Sequence, residues 1–435
     1  MPVSALAYRA CDEVVTDIEK YSAISACCSE QKSELYTELP GQWENTVNFQ
    51  IVLSVLSHMR QLRLREHWAR QQLEAYQADA VRNLREYAYA NSPFYRRFHQ
   101  GLVDAPLHEL PVLTKAMLMD HFDELVTDRA IRLEEVKTHI AGLSGDERYL
   151  GRYWVNATSG SSGHPGIFLF NRAEWITVLS SFARAREWAG IKLDLMHRVK
   201  TATIASSTPF HMSTRVNETA HSWWIPELHI AASEPLEVMV ARLGAWQPEV
   251  LIAYASMACI LADEQLAGRL QIRPRAVFTS SEVLSEETRR RIVQAWGDRL
   301  FNQYAATESG SLAAECEHHR GMHLMEDLVI VEVVDRNNRH VPAGAYGDKL
   351  LITVLGSRTQ PLIRYELDDS IRLSPEPCPT GHPFALVEYL KDLYQRLPIV
   401  EKQLVEVDGS VYWMLSHPKQ AADVISVWFD ETLPR

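Results

Sequence analysis

The chain of 435 residues is 46% hydrophobic and 23% charged, which supplies core for two or three domains. That balance excludes a disordered chain, a collagen-like fibre and a disulfide-stapled miniature. The 44 Lys+Arg against 56 Asp+Glu leave a net charge of -12, which argues against a general nucleic-acid scaffold.

Six cysteines in so long a chain fit a reducing compartment. The opening stretch MPVSALAYRACDEVV lacks the basic start and apolar core of a signal peptide. No apolar run approaches the ~18 residues of a membrane span. A cytoplasmic protein without membrane or nucleic-acid partners is expected.

From about Trp43 to Gly101 apolar residues recur with helical period: Val52, Leu53, Leu56, Leu62, Leu64, Trp68, Leu73, Tyr76, Ala80, Leu84 and Tyr87. Arg63, Arg65, Glu66 and Arg70 fill the other face. The pattern predicts an amphipathic helical layer on a larger core, and the acidic balance disfavours the alternative of a DNA-binding helix. Residues 1–75 are assigned to a helical N-terminal extension.

From Tyr153 the texture turns to short β-rich runs: RYWVNAT, GIFLF, TATIA, VLIAYA, RAVFTS, LVIVEVVD and DKLLITVL. Helical stretches such as EWITVLSSFARAREWAG and SEETRRRIVQAWG stand between them, so the fold class is α/β. The last two runs predict a hairpin around Asn337–Asn338, with a further turn at Pro342–Gly344. Pro375, Pro377, Pro379 and Pro383 mark a hinge. The core is therefore set at 76–383 and a short C-terminal piece at 384–435.

Three segments carry chemistry. Thr158-Ser159-Gly160-Ser161-Ser162-Gly163-His164-Pro165-Gly166 lies between two predicted strands. Its glycines admit close approach of a phosphate, and its hydroxyls can donate to the oxygens. No Lys-Ser/Thr ends it, so it is not the loop of ordinary nucleotide triphosphatases; a plain Gly/Ser surface turn is the competing reading. In Phe301-Asn302-Gln303-Tyr304-Ala305-Ala306-Thr307-Glu308-Ser309-Gly310, the hydroxyl–carboxylate pair can hold a phosphate oxygen and Mg²⁺, against a simple capped turn. The third segment joins Gly347-Asp348-Lys349 to Pro361-Leu362-Ile363-Arg364-Tyr365-Glu366-Leu367-Asp368-Asp369. Asp369 can accept both ribose hydroxyls, against a solvated acidic turn.

In this order the segments resemble the adenylate-forming superfamily of acyl-CoA synthetases, luciferases and adenylation domains, specifically its phenylacetate–CoA ligase-like branch. Ser92-Pro93-Phe94-Tyr95 and Leu110-Pro111-Val112-Leu113-Thr114-Lys115 also resemble this branch. The resemblance implies the family's large N-terminal domain of β-sheets and packed helices, with ATP and Mg²⁺ as cofactors and CoA as an acceptor.

It also implies roles. Thr158, Ser159, Gly160, Ser161, Ser162 and Gly163 would lie around the β,γ-phosphates, Thr307 at the α-phosphate, and Glu308 on Mg²⁺. Ser281 and Glu282 would lie along adenine and Asp369 on the ribose, with Asn302, Tyr304 and Arg372 in the same nucleotide site. Tyr254, Ala255, Ser256, Ser213 and Arg215, with Tyr304 again, would line the acid pocket beside the gate residue His211, for which a buried structural His is the competing reading. Cys316, His323 and Cys378 match a Zn²⁺ site of some branch members, with a further Cys where this chain has Thr380; reduced Cys and surface His are the competing reading.

The chain departs from the family in two places. The phosphate loop carries His164 where a Lys is usual, which predicts weaker triphosphate binding as pH rises. After Pro383 only 52 residues follow, and Lys391, Lys402 and Lys419 lack the Gly-Lys context of the family's mobile lid. The expectation is a curtailed lid and slow thioester formation. The reading that follows is ATP- and Mg²⁺-dependent adenylation of a carboxylic acid of the aromatic class, with release of pyrophosphate and transfer to CoA or another nucleophile such as an amine. A homodimer is the expected assembly. Adenylation of a non-carboxylate acid such as nitrite, and a catalytically weak nucleotide-binding relative, are the alternatives.

Overall fold

The computed structural model describes residues 49–158, 165–192, 197–222 and 225–389. Most of the expected N-terminal extension, and the C-terminal piece from residue 390 on, lie outside the described residues.

The predicted helical layer forms α1 (Phe49–Arg65), α2 (Arg70–Asn91) and α3 (Pro93–Phe98). Ser92 starts α3: its hydroxyl oxygen accepts from Tyr95 N, and Pro93 occupies the first turn, where a missing N–H costs nothing. The buried stripe is Ile51, Met59, Leu62, Leu73, Leu84 and Ala88. α2 runs unbroken through residues 75 and 76, and Leu73 shares one buried cluster with Ala185, Trp188 and Phe384. Helix α2 thus crosses the boundary expected at 75/76, and its apolar stripe packs on the core on both sides of it.

Three short helices, α4 (Lys115–Asp120), α5 (Phe122–Leu125) and α6 (Leu133–Ala141), lead to the antiparallel pair β1 (Trp154–Ala157) and β2 (Ile167–Phe170). Helix α7 (Arg172–Trp188) follows. Asn171 caps it by accepting from Ala173 N and Glu174 N, while Glu174 accepts from Asn171 N in return. α7 is buried on most faces. Its Arg184 is fully buried and makes a two-pronged pair with Asp327 at 2.7 and 2.8 Å, so neither charge is left alone in the core.

The α/β segment comprises β3 (Thr201–Ala205), α8 (Met212–Ala220), β4 (Glu227–Ala231), α9 (Leu236–Trp246), β5 (Val250–Tyr254), α10 (Ala255–Leu266), β6 (Ala276–Ser280), α11 (Glu286–Trp296) and β7 (Leu300–Ala306). Leu251 and Val277 bury one sheet face against Leu261 and Trp296, while Val250 and Phe278 bury the other against Ile191. Burial on both faces explains why these strands read as continuous apolar runs. The chain continues as β8 (Gly310–Glu315), β9 (Met322–Leu324), β10 (Val329–Val334), β11 (Lys349–Val354), β12 (Tyr365–Leu367), β13 (Ile371–Leu373) and β14 (Leu386–Tyr389).

Among the described residues nine strands make one sheet, ordered β13-β14-β9-β8-β7-β6-β5-β3-β4. Pairing is parallel from β4 to β7 and antiparallel from β7 to β13. β10, β11 and β12 form a separate antiparallel sheet, which contains the predicted hairpin with Asn338 at φ 63°. β14 pairs with β9 and β13 beyond Pro383. The first residues of the piece expected at 384–435 thus join this sheet as far as Tyr389. No helix among the described residues is long and apolar enough to cross a membrane.

Candidate active site

β5, β6 and β7 are parallel neighbours, so their carboxyl ends open side by side. Crevices at such ends, where strand direction changes, are the usual binding places of open α/β sheets. Tyr254 ends β5 and Ala255 and Ser256 follow it, Ser281 and Glu282 follow β6, and Thr307 and Glu308 follow β7, where the sheet turns antiparallel. Sequence-predicted residues that are far apart along the chain meet at this edge.

Local bonds fix each group. Tyr254 Oη accepts from Ser206 N at 2.9 Å, beyond the end of β3. The Glu282 carboxylate accepts from Ser256 N at 2.8 Å and Ser256 Oγ at 3.0 Å, locking the ends of β5 and β6 together. Ser281 between them adopts φ 66°, a left-handed conformation uncommon outside glycine. Ala255 is buried. His211 precedes α8 and Ser213 lies in its first turn, both half-buried; burial pulls the His211 pKa below its ordinary value, which leaves a neutral ring at pH 7.

Thr307, Glu308 and Ser309 form the tight turn between β7 and β8, closed by Ala306 opposite Gly310. Gly310 has φ 85°, and a Cβ there would stand 3.0 Å from Ser181 Oγ and 3.1 Å from Val178 Cγ1. α7 thus supports the turn directly, and Ser181 Oγ also accepts from Ser311 N at 3.0 Å. Glu308 points inward, 6% exposed, with Tyr365 Oη 3.5 Å from its Oε1. Burial pushes its pKa up to about 7; Lys115 opposes the rise and Asp369 adds to it. A cavity of about 40 Å³ between Phe168, Val178 and Gln360 adjoins the carboxyl.

Asp369 lies between β12 and β13, where the two sheets meet, and Tyr304 Oη donates to its Oδ2 at 2.7 Å. Burial raises the Asp369 pKa, Tyr304 lowers it and Asp368 adds to the rise. Tyr304, expected in the acid pocket and the nucleotide site, therefore serves as the partner of Asp369. Thr158 closes the base of the Gly/Ser loop: its N donates to Gly166 O at 2.9 Å and its Oγ1 accepts from Gly166 N at 2.8 Å. Ser159, Gly160, Ser161, Ser162, Gly163 and His164 lie outside the described residues.

Three expected site residues are engaged elsewhere. Arg215 is fully buried and donates to the carbonyl oxygens of Gly145 and Glu147, so its guanidinium is a clamp on that loop. Arg372 pairs with Glu388 of β14 at 2.7 Å and lies over the Tyr346 ring. Asn302 Oδ1 accepts from Thr279 Oγ1 at 3.3 Å, across β6 and β7. In this structure their side chains are bonded to the protein itself.

The Thermus thermophilus phenylacetate-coenzyme A ligase is 25% identical over 332 residues, covering 72% of this chain and 68% of that protein. Protein CapK of Staphylococcus aureus is 23% identical over 302 residues, covering 67% of this chain and 61% of that protein. The solved open conformation of 2-hydroxyisobutyryl-CoA ligase, in complex with 2-HIB-AMP and CoA, superposes with a TM-score of 0.60 at 21% identity, covering 74% of this chain and 75% of that one. No protein-family model matches the chain. The chain is thus similar in sequence to phenylacetate-coenzyme A ligase, an AMP-forming ligase of the adenylate-forming superfamily, and shares its fold with 2-hydroxyisobutyryl-CoA ligase.

This phenylacetate–CoA ligase-like chain holds a second cluster beyond the crevice. The ligand atoms of Cys316, His323 and Cys378 lie within 4.8 Å of one another, all buried. The two sulfurs are 3.7 Å apart and His323 Nε2 is 3.3 Å from Cys316 Sγ. Two thiolates on one tetrahedral Zn²⁺ at ~2.3 Å stand about 3.8 Å apart, so the spacing fits the ion. Burial, with Cys378 beside it, pushes the Cys316 thiol up to about 11. The His382 ring lies 5.0 Å from that of His323, and its buried Nδ1 has no hydrogen-bond partner among the described residues.

Sequence reasoning passed over Tyr365, Gly310 and Ser181. Tyr365 stood inside a quoted motif, and an aromatic hydroxyl after Arg364 was its signal. The close approach of Gly310 to α7 had no signal in the sequence.

Proposed function

We propose that this adenylate-forming relative joins a carboxylic acid to the α-phosphate of ATP, releases pyrophosphate, and passes the acyl group to CoA. The observation that carries the reading is the convergence of Tyr254–Ser256, Ser281–Glu282 and Thr307–Glu308 at adjacent strand ends, with Asp369 near enough to influence Glu308. The acyl-adenylate and CoA bound to 2-hydroxyisobutyryl-CoA ligase support it.

In this reading Asp369, oriented by Tyr304, accepts the ribose hydroxyls, and Ser281 and Glu282 flank the adenine. Thr307 meets the α-phosphate, while Thr158 sets the mouth of the loop that holds the β,γ-phosphates. The acid lies by Tyr254, Ala255 and His211, and we assign it to the aromatic class. A carboxylate oxygen bonds to the α-phosphorus as the bond to pyrophosphate breaks. Both reactants are anions, so positioning and charge stabilisation dominate. Glu308 fits as the Mg²⁺ ligand, being a buried carboxyl beside the phosphate-facing turn; the ion supplies positive charge to the phosphates. Cys316, His323 and Cys378 fit structural Zn²⁺, with His382 as the nearest further donor.

The test is a quenched reaction of the protein with ATP, Mg²⁺, CoA and a panel of aryl and alkyl acids. Pyrophosphate, adenylate and thioester are followed together. Acid-dependent pyrophosphate release is expected, strongest with aryl acids. Its absence across the panel would overturn the assignment.

A further inference from the structure

Outside the crevice, a second cavity of about 390 Å³ opens between α1, α2 and the segment after β11. Ligand sites commonly measure ~300–1,000 Å³. Its wall carries two guanidinium groups with spare donors. Arg65 of α1 lies with Cζ 4.5 Å from the Tyr76 ring centre, and its approach to Asp327 is a loose 3.6 Å. Asp327 already has both oxygens taken by Arg184. Arg358 spends Nη1 on the carbonyl oxygens of Leu355 and Ser357 and lies over the Tyr87 ring at 5.4 Å. Asp79, the other acid of the wall, pairs with Arg82 at 3.0 Å.

Asp79 is matched by Arg82, and Asp327 chiefly by Arg184, which also meets Glu66 at 3.3 Å. Arg65 keeps only the long contact to Asp327, and the Arg358 guanidinium has no carboxylate partner among the described residues, so both guanidinium groups retain donors toward the cavity. Planar guanidinium groups backed by aromatic rings are well suited to bind planar or tetrahedral oxyanions. Asn83 adds an amide to the same wall. Thr177, Leu328 and Gly356 line both this cavity and the small one beside Glu308, so the two share a partition.

We propose that this cavity binds a small ligand bearing a phosphate or carboxylate group, held by Arg65 and Arg358. The site is separate from the nucleotide crevice, and the proposal stands whether or not adenylation is the reaction.

The experiment titrates the full-length protein calorimetrically with inorganic phosphate and, separately, with succinate, in a buffer free of other oxyanions. Saturable binding of at least one probe is expected, and the tighter one identifies the class. Combining Arg65→Gln with Arg358→Gln should weaken it by about tenfold or more, since each charge-assisted hydrogen bond is commonly worth more than ~1.4 kcal/mol. Phosphate bound in the nucleotide crevice would not respond to these substitutions. Should the variant fail to fold, hydrogen exchange on the wild type decides: the probe should protect amides of 58–65, 76–83 and 355–358. No saturable binding, equal affinity in a folded variant, or protection confined to the ends of β5–β7 would overturn the proposal.

Discussion

Glu308 carries opposing demands of stability and chemistry. Its pKa rises from the ordinary 4.5 to about 7 because the folded protein buries it. A raised acid pKa means that the folded state prefers the proton, so stability falls as pH climbs from about 4.5 to about 7 and then levels off. Glu308→Gln removes this penalty. The ligand-free variant should melt higher than wild type above pH 7 and equally at pH 4, by on the order of a few kcal/mol. If Glu308 holds Mg²⁺ as proposed, the same substitution should slow adenylate formation by about 100-fold, because that charge is then gone. Equal melting at both pH values would contradict the buried-acid account. Asp369 depends on Tyr304 in a simpler way. Tyr304→Phe should weaken ATP binding several-fold, on the order of 1 kcal/mol for one lost hydrogen bond, and should weaken a 2′-deoxy nucleotide less. Glu308 and Asp369 stand out in the sequence because each lies in a motif with few alternatives, and the fold gives each a tyrosine hydroxyl, Tyr365 and Tyr304. The bonds of Arg215 to carbonyls and of Arg372 to Glu388 were not legible, since such an arginine reads the same in sequence as one facing a ligand.

The β7–β8 hairpin and α7 act as one device. Gly310→Ala would place a methyl 3.0 Å from Ser181 Oγ at a backbone φ of 85°. We expect a loss of stability of about 1–3 kcal/mol and a raised KM for ATP, because the turn carrying Thr307 and Glu308 must shift. Unchanged KM with lowered melting temperature would confine Gly310 to folding. The parallel strands β3, β5 and β6 were legible from their apolar runs, and so was the β10–β11 hairpin from its Asn and Gly turns. β4, β7 and β8 were missed, as were the three-residue strands β9, β12 and β13 and the four-residue β14. Strands this short show too few alternations, and their partners are set by distant pairing, as when β14 inserts between β9 and β13.

Across the molecule, the sheet divides at β7 into a half built from strand–helix repeats and a half built from hairpins. The hairpin half lacks the regular crossover helices, and there Cys316 after β8, His323 in β9 and Cys378 before β14 converge. If they share Zn²⁺, treatment with a chelator should lower the melting temperature reversibly, and elemental analysis should give one metal per chain. Cys316→Ser should reproduce the loss. Metal-free protein with unchanged melting would reduce the cluster to reduced thiols beside a buried imidazole. The cluster's residues were visible as Cys and His in the sequence, but only the pairing of β9 with β14 brings Cys378 to the other two.

If Glu308 holds Mg²⁺ as proposed, a carboxyl pushed up to about 7 by burial would also make nucleotide capture a proton-releasing event. At pH 7 about half of the ligand-free molecules hold the Glu308 proton, and the metal-bound form cannot keep it. Binding of Mg²⁺–ATP should then expel about half a proton per chain, more at pH 6 and almost none at pH 8.5. The heat of binding would depend on the ionisation enthalpy of the buffer, and the slope against that enthalpy would count the protons. In Glu308→Gln the slope should vanish.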